Sequence, residues 1–165
     1  MDVFVSNLSY WYSSREIFTL VMLVFGLMVG SFSNVVIYRL PEIIYRPKAG
    51  IDKMSLSYPP SRCPKCENQL KWYHNVPVIS WLLLMGKCGF CEVKIPSRYP
   101  KVELLMGAGF ALVTYFLYPT YYQVALSSFL FSLMVIGSFI YHDQNKVPQR
   151  LIYLTFIVAF FIIII

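Results

Sequence analysis

The chain has 165 residues and a formal net charge of +6, and only 13% of its residues are charged while 58% are apolar. A soluble globular domain usually carries about 25% charged residues, so this composition excludes an ordinary water-soluble domain. The apolar residues lie in long unbroken blocks, which is typical of lipid-facing helices rather than of a soluble core.

The first apolar block runs from Ile17 to Tyr38 without a charged residue. At about 1.5 Å per residue, a helix of this length crosses the roughly 30 Å hydrocarbon layer. Residues 1–16 lack the basic start and cleavage site of a signal peptide, so we expect them to stay attached as an external segment. Gly26 and Gly30 form a small-xxx-small pair, which predicts a close contact with another helix.

Residues 39–101 form a loop of different composition. This loop holds 11 of the 14 Lys and Arg residues, most of the prolines and all four cysteines. Because basic loops stay on the cytoplasmic side, it predicts a cytoplasmic loop and an external N-terminus. The apolar stretch 78–85 is too short to span, and we expect it to pack inside the loop or to lie at the membrane interface.

The second half contains further predicted spans. No charged residue occurs from Leu104 to Tyr141, and Pro119 predicts a tight turn within that block. The polar segment 142–150 follows, and its Lys and Arg agree with a cytoplasmic position. The predicted fold is therefore all-α, a multi-pass helical membrane protein with a small cytoplasmic loop domain, whose later region 102–165 has spans at about 104–118, 121–141 and 151–165.

The four cysteines form two CxxC pairs, at positions 63 and 66 and at positions 88 and 91. Two such pairs can present four thiolates to one Zn²⁺ in tetrahedral geometry, and Gly89 permits a tight turn in the second pair. Two disulfides or four free thiols are the alternatives, although a cytoplasmic position disfavours disulfides. We predict a structural zinc ion, because four sulfur ligands leave no open coordination position. The predicted ligands are Cys63, Cys66, Cys88 and Cys91.

Three segments resemble the type IV prepilin peptidases, which are bifunctional inner-membrane enzymes. The segments are GLMVGSFSNVVIYRLP (26–41), PPSRCPKCENQLKWYHNVPVISWLLLMGKCGFC (59–91) and IPSRYPKVELL (95–105). The resemblance implies a bacterial inner-membrane enzyme that cleaves the leader peptides of prepilins or pseudopilins and N-methylates the new terminus. It also implies S-adenosylmethionine as methyl donor and two catalytic aspartates at the cytoplasmic membrane surface, one acting as base and the other as acid.

The sequence departs from the family pattern at both aspartates. The family's first aspartate lies seven residues before the proline of a Pro-Asp pair, and that position holds Tyr141, while the pair itself is Pro148-Gln149. Asp143 lies two residues later, which turns a helical side chain by about 200°, so it could substitute only if the helix has unwound there. The glycine-rich GxGD motif that carries the second aspartate is absent from the 165 residues. Asp143 is nevertheless the candidate catalytic residue, and it would need a partner from outside this chain.

Three other polar residues have simpler interpretations. Glu103 is expected to open a span, where the helix dipole favours a carboxylate, although a substrate role is an alternative. His74 is expected to pack within the loop rather than to bind the metal, and His142 to lie at the interface.

Two hypotheses of function follow. The first is a prepilin peptidase that is incomplete or divergent in its catalytic part, an expectation supported by the short final block that ends in four isoleucines. The second is a noncatalytic, membrane-anchored zinc module that binds prepilin or secretion machinery without cutting. A membrane-tethered nucleic-acid binder would rest only on the knuckles and the charge, and we expect no nucleic-acid partner. The lipid bilayer is the other expected partner.

Overall fold

The computed structural model describes residues 2–45 and 55–164, with the side chains of residues 14–45 and 55–162. These residues form helices and contain no strand beyond two isolated bridges, which confirms the predicted all-α fold. Residues 46–54 of the predicted loop domain and Ile165 of the predicted last span lie outside the described residues. The helices are α1 (Asp2–Tyr45), α2 (Ile79–Leu83), α3 (Arg98–Leu117), α4 (Tyr121–Gln144) and α5 (Gln149–Ile164), with a 3-10 helix at Trp72–Asn75.

Three helices are long and apolar enough to cross a membrane. They are the described part of α1 from Ser14 to Tyr45, all of α3 and all of α4. The α5 helix has 16 residues and a length of about 24 Å, so it is a shorter apolar helix rather than a clear span. Pro119 lies between α3 and α4, where the sequence predicts a turn. These helices make the chain a membrane protein.

The α1 and α3 helices pack closely along one seam. A Cβ atom added to Gly26 would lie 2.7 Å from the backbone oxygen of Met106, and one added to Gly30 would lie 2.7 Å from the Cα of Glu103. On the opposite side of the seam, a Cβ added to Gly107 would lie 2.8 Å from Leu27. The small-xxx-small pair therefore permits backbone contact between two helices, as predicted.

The α4 helix completes the core beside this seam. Buried side chains from the three long helices form one apolar cluster. Asn34 of α1 adds a hydrogen bond between the helices, in which its side-chain amide donates to the Tyr99 carbonyl oxygen at 3.1 Å. Such a bond satisfies a buried polar group and fixes the register of α1 against the start of α3. The cluster consists of Ile37, Val102, Met106, Phe110, Val135, Ile136 and Ile140.

The helices extend beyond the apolar blocks that identify them in the sequence. The α1 helix continues through Pro41 to Tyr45, and α3 begins at Arg98, before the first residue of its charge-free block. Glu103 consequently lies in the second turn of α3, and the expectation that it opens the helix is wrong. The length of a charge-free block indicates how much of a helix can lie in the hydrocarbon layer. The helix itself continues into the polar interface.

Arg39 joins the end of α1 to the loop. Its guanidinium donates to three backbone carbonyl oxygens of the loop, those of Ser55 at 3.0 Å, Leu56 at 3.3 Å and Pro59 at 2.6 Å. A planar guanidinium with five donors suits such a cluster of carbonyls. The first described turn of the loop is therefore held against the last turns of α1.

Candidate metal centre and interfacial aspartate

The structure brings the four cysteine sulfurs into one cluster. All four Sγ atoms lie within 4.8 Å of one another, and those of Cys63 and Cys91 are 3.8 Å apart. Tetrahedral zinc with bonds of about 2.3 Å places its sulfur ligands about 3.8 Å apart. The cysteines are not joined by disulfides. The cluster fits a divalent metal ion of the size and softness of zinc.

Two copies of the same backbone turn present the cysteines. In the first turn Glu67 N–H donates to the Cys63 carbonyl at 2.9 Å, and in the second Glu92 N–H donates to the Cys88 carbonyl at 3.0 Å. Both glutamates have φ of 56°, in the left-handed region that non-glycine residues seldom adopt. The closing residue is therefore Glu92, while Gly89 does not have positive φ. Gly89 therefore does not mark the residue that needs the left-handed conformation in this turn.

The electrostatics of the sulfur cluster are asymmetric. The backbone amides of Cys66 and Lys65 stabilise the thiolate and lower the pKa of Cys63 to about 6. The amide of Val93 favours the thiolate of Cys91, but burial and the three neighbouring sulfurs outweigh it and raise that pKa to about 11. Thiolates this close together repel one another when no cation is bound. A dication would remove this repulsion by binding all four sulfurs.

The loop has almost no buried residues apart from the cysteines. Among residues 55–96, all of which the structure describes, only Cys63, Gly86 and Cys88 are buried. A segment of this size without an apolar core usually needs a metal or disulfides to fold. Two of the three buried residues in this described segment are cysteines of the cluster, so the cluster lies at the centre of what interior the segment has.

His74 packs beside the cluster without joining it. Its ring makes edge contacts with the rings of Tyr73 and Phe90, with centroids 4.5 Å and 5.5 Å away. The group of potential metal ligands found among the described residues contains the four cysteines and no histidine. These contacts agree with a packing role for His74 in the loop.

Glu103 connects α3 to the loop. Its carboxylate accepts a hydrogen bond from the Val78 N–H at 2.7 Å, at the start of α2. Val78 itself has φ 61° and ψ −50°, and Ile79 N–H donates to the Pro77 carbonyl at 2.6 Å. This is the classic γ-turn, which is rare and strained, particularly for a β-branched residue. Glu103 thus fixes a strained turn, a role that no sequence signal indicates.

Asp143 lies at the end of α4 and is paired with a cation. Its Oδ2 accepts a hydrogen bond from the guanidinium of Arg98, and its Oδ1 lies 3.4 Å from His142 Nδ1. The pair lines a shallow cavity of about 420 Å³ together with Lys101 and Phe139. Among the described residues, no second carboxylate lines this cavity.

The helix has not unwound at Asp143. The α4 helix continues to Gln144, and Asn145 closes it in the left-handed conformation. Tyr141, which occupies the position of the family's first aspartate, is exposed on the outside of the bundle. Positions 141 and 143 therefore direct their side chains to different sides of the helix, and the catalytic role of Asp143 stays a prediction.

Comparison with known proteins identifies relatives whose sequences match most of this chain. Residues 24–117 match the family model described as the bacterial peptidase A24 N-terminal domain. The prepilin leader peptidase/N-methyltransferase of Neisseria gonorrhoeae is 38% identical over 145 residues, which cover 78% of this chain and 49% of the relative. The protein of the same name from Stutzerimonas stutzeri is 45% identical over 104 residues, covering 54% and 36%.

A third relative extends the match towards the end of the chain. The prepilin leader peptidase/N-methyltransferase of Vibrio cholerae is 35% identical over 151 residues, which cover 87% of this chain and 56% of the relative. The chain thus spans about half the length or less of most curated relatives it matches. No solved structure matches it.

Proposed function

The chain belongs to the type IV prepilin peptidase family, and on that premise we propose that it forms the zinc-bearing, amino-terminal part of a prepilin leader peptidase/N-methyltransferase. Such an enzyme cleaves the leader peptides of prepilins at the cytoplasmic membrane face and methylates the new terminus with S-adenosylmethionine. The observation that carries the proposal is the family match over residues 24–117, which contain all four clustered cysteines.

The proposed ligands of one structural zinc ion are Cys63, Cys66, Cys88 and Cys91. With four sulfur ligands the ion has no open position for water or substrate, so it would order the loop rather than act on a peptide bond. The backbone amides that stabilise the Cys63 thiolate prepare one ligand before the metal arrives. Metal analysis of the purified chain should give one zinc per chain, and a folded, metal-free protein would exclude this role.

The proposed organisation is a multi-pass protein of the bacterial inner membrane, divided at residues 1–16, 17–38, 39–101 and 102–165. The loop 39–101 and the segment 142–150 face the cytoplasm because they carry the basic residues. The test uses single cysteines in a background that lacks the native four. An impermeant reagent added to intact cells should label Thr120→Cys and not Asn68→Cys, and the opposite pattern would reverse the orientation.

We further propose that these 165 residues alone do not cleave prepilin. Peptide hydrolysis by aspartates needs one carboxylate as base and one as acid. Asp143 is bound to Arg98 in an intact helix, and no other carboxylate of the part of the chain that the structure describes lines the cavity around the pair. The proteolytic aspartates of a complete enzyme would have to come from additional sequence or from another chain.

A noncatalytic role is the second candidate. The same ion pair supports it, because a carboxylate held by a guanidinium serves to join α3 to α4 rather than to activate water. In that case the chain would be a membrane-anchored zinc module that binds prepilin or secretion machinery.

One experiment tests both candidates. The chain is expressed in a strain without its own prepilin peptidase, and prepilin mobility is followed on a gel, with the gonococcal relative as positive control. We expect no mature pilin above the empty vector. Mature pilin that disappears with Asp143→Asn would overturn the claim that the chain alone cannot cleave. Co-purification of uncut prepilin with the chain would favour the noncatalytic candidate.

A further inference from the structure

The α2 helix exposes an apolar surface that no described part of the chain covers. Leu83 and Met85 are 78% and 80% exposed, and three neighbouring side chains are also largely exposed. Contiguous apolar side chains of this size mark a binding surface, since each one costs free energy in water. We call these residues the α2 surface: Trp72, Ile79, Leu82, Leu83 and Met85.

The anchoring of α2 fixes its depth relative to the membrane spans. Val78, immediately before α2, is hydrogen-bonded to Glu103, which lies five residues or about 7.5 Å into α3. The first turn of α3 carries Arg98 and Lys101, and charged residues at the end of a span lie among the lipid headgroups. The start of α2 is thus level with the boundary between headgroups and hydrocarbon.

A second anchor holds the other part of α2 at a similar height. Trp81 Nε1 donates to the Ile95 carbonyl at 3.2 Å, and Ile95 N–H donates to the Gly86 carbonyl at 2.7 Å. Ile95 lies only three residues before Arg98, the first residue of α3. Both ends of the α2 segment therefore stay within the interfacial zone.

The charges around the surface match this location. Three exposed lysines of the loop flank the apolar residues in the sequence, at positions 71, 87 and 94. Lysines beside an apolar surface can bind lipid phosphates while their stems lie on the acyl chains, and tryptophan prefers the same zone. We propose that the α2 surface inserts into the bilayer interface, so that the zinc loop lies on the membrane instead of projecting into water.

The proposal depends on the membrane spans and the two anchors, and not on the proposed enzymatic function. It commits to lipid because an exposed tryptophan and flanking lysines, the residues that favour a lipid interface, lie beside the apolar side chains at this depth. A second copy of the chain seated on the same residues would appear as a protein adduct in the test.

The test is site-specific photo-crosslinking to lipid. Benzoylphenylalanine replaces Leu83 in the full chain, which is reconstituted into vesicles of phosphatidylethanolamine and phosphatidylglycerol that carry an alkyne on the acyl chain. The same replacement at Leu112, exposed on α3, is the positive control. Replacement of Gln69, exposed on the first cysteine turn, is the matched loop control. Metal content equal to that of the parent verifies folding, and Met85 serves as a second site.

We expect lipid adducts at Leu83 and Met85 at yields near that of Leu112 and several-fold above that of Gln69. Lipid adducts at Leu83 and Met85 no more frequent than at Gln69 would overturn the proposal. Adducts that join two polypeptides at these positions would overturn it as well.

Discussion

Two regions of this molecule are held together by opposite means. Along the α1–α3 seam, glycines let two helix backbones come into direct contact, and seven buried apolar residues surround the seam. In the loop, residues 55–96 bury only Cys63, Gly86 and Cys88. The membrane helices are held by close packing of their backbones and apolar side chains, whereas the loop is arranged around four cysteine sulfurs.

This difference separates the consequences of substitution. A change in the seam must be accommodated by helix backbones, which cannot move without loss of neighbouring contacts. A change at a cysteine removes the centre of the loop but touches no helix of the seam. The two regions should therefore fail independently, and the following substitutions are chosen to test that independence.

The largest effect is expected for the double substitution Cys63→Ser and Cys88→Ser. It removes one ligand from each turn, so metal binding and the order of the loop should both be lost. Zinc content should fall from one per chain to none, and trypsin should cut the loop rapidly while helicity measured by circular dichroism is retained. Lys65→Ser, in the same turn but with no sulfur lost, is the control. A double variant that keeps its zinc would contradict the cysteine assignment.

The next effect concerns the seam. Gly26→Ala places a Cβ 2.7 Å from the backbone oxygen of Met106 and 2.9 Å from the Cα of Gly107, and because neither helix backbone can move away, we expect a loss of about 1–3 kcal/mol in stability. Gly137→Ala is the matched control, because its added Cβ would meet nothing closer than 3.6 Å. Unfolding in a denaturing detergent, with zinc content followed in parallel, measures both regions. Equal stability of the two variants would show that the seam is not closely packed.

The sequence predicts the parts of the fold that depend on composition and spacing. Charge-free length predicts the long helices, the Gly26 and Gly30 pair predicts the seam, and the CxxC spacing predicts the clustered sulfurs. The sequence does not predict the Arg39 contacts or the hydrogen bond from Val78 to Glu103, because these join residues far apart in the chain through backbone atoms that carry no sequence signal. The observed helices are also longer than the predicted ones. The charge-free blocks indicate where the hydrocarbon layer ends, whereas the helical backbone hydrogen bonds continue beyond it.

A smaller effect is expected where the two regions meet, at Glu103. Glu103→Leu leaves the Val78 N–H without its acceptor and should loosen α2, and because this hydrogen bond is only partly buried the cost should be about 1 kcal/mol. Glu103→Gln keeps an acceptor oxygen and should behave nearly as the parent. Hydrogen exchange of the peptide that contains Val78 distinguishes the two variants. Faster exchange in Glu103→Gln as well would mean that the negative charge, and not the hydrogen bond alone, holds the turn.

The smallest effect is expected for the ion pair between Arg98 and Asp143. Both side chains are about one-third exposed, at 33% and 31%, so water screens their attraction and the pair should contribute about 0.2–1 kcal/mol. A double-mutant cycle with Arg98→Gln and Asp143→Asn measures this coupling by detergent unfolding, and Lys101→Gln replaces Arg98→Gln in the control cycle, where the effects should add. A coupling above about 2 kcal/mol would instead indicate a desolvated pair. The junction of α3 and α4 would then belong with the closely packed seam, and Asp143 would be fixed too firmly by Arg98 to act on water.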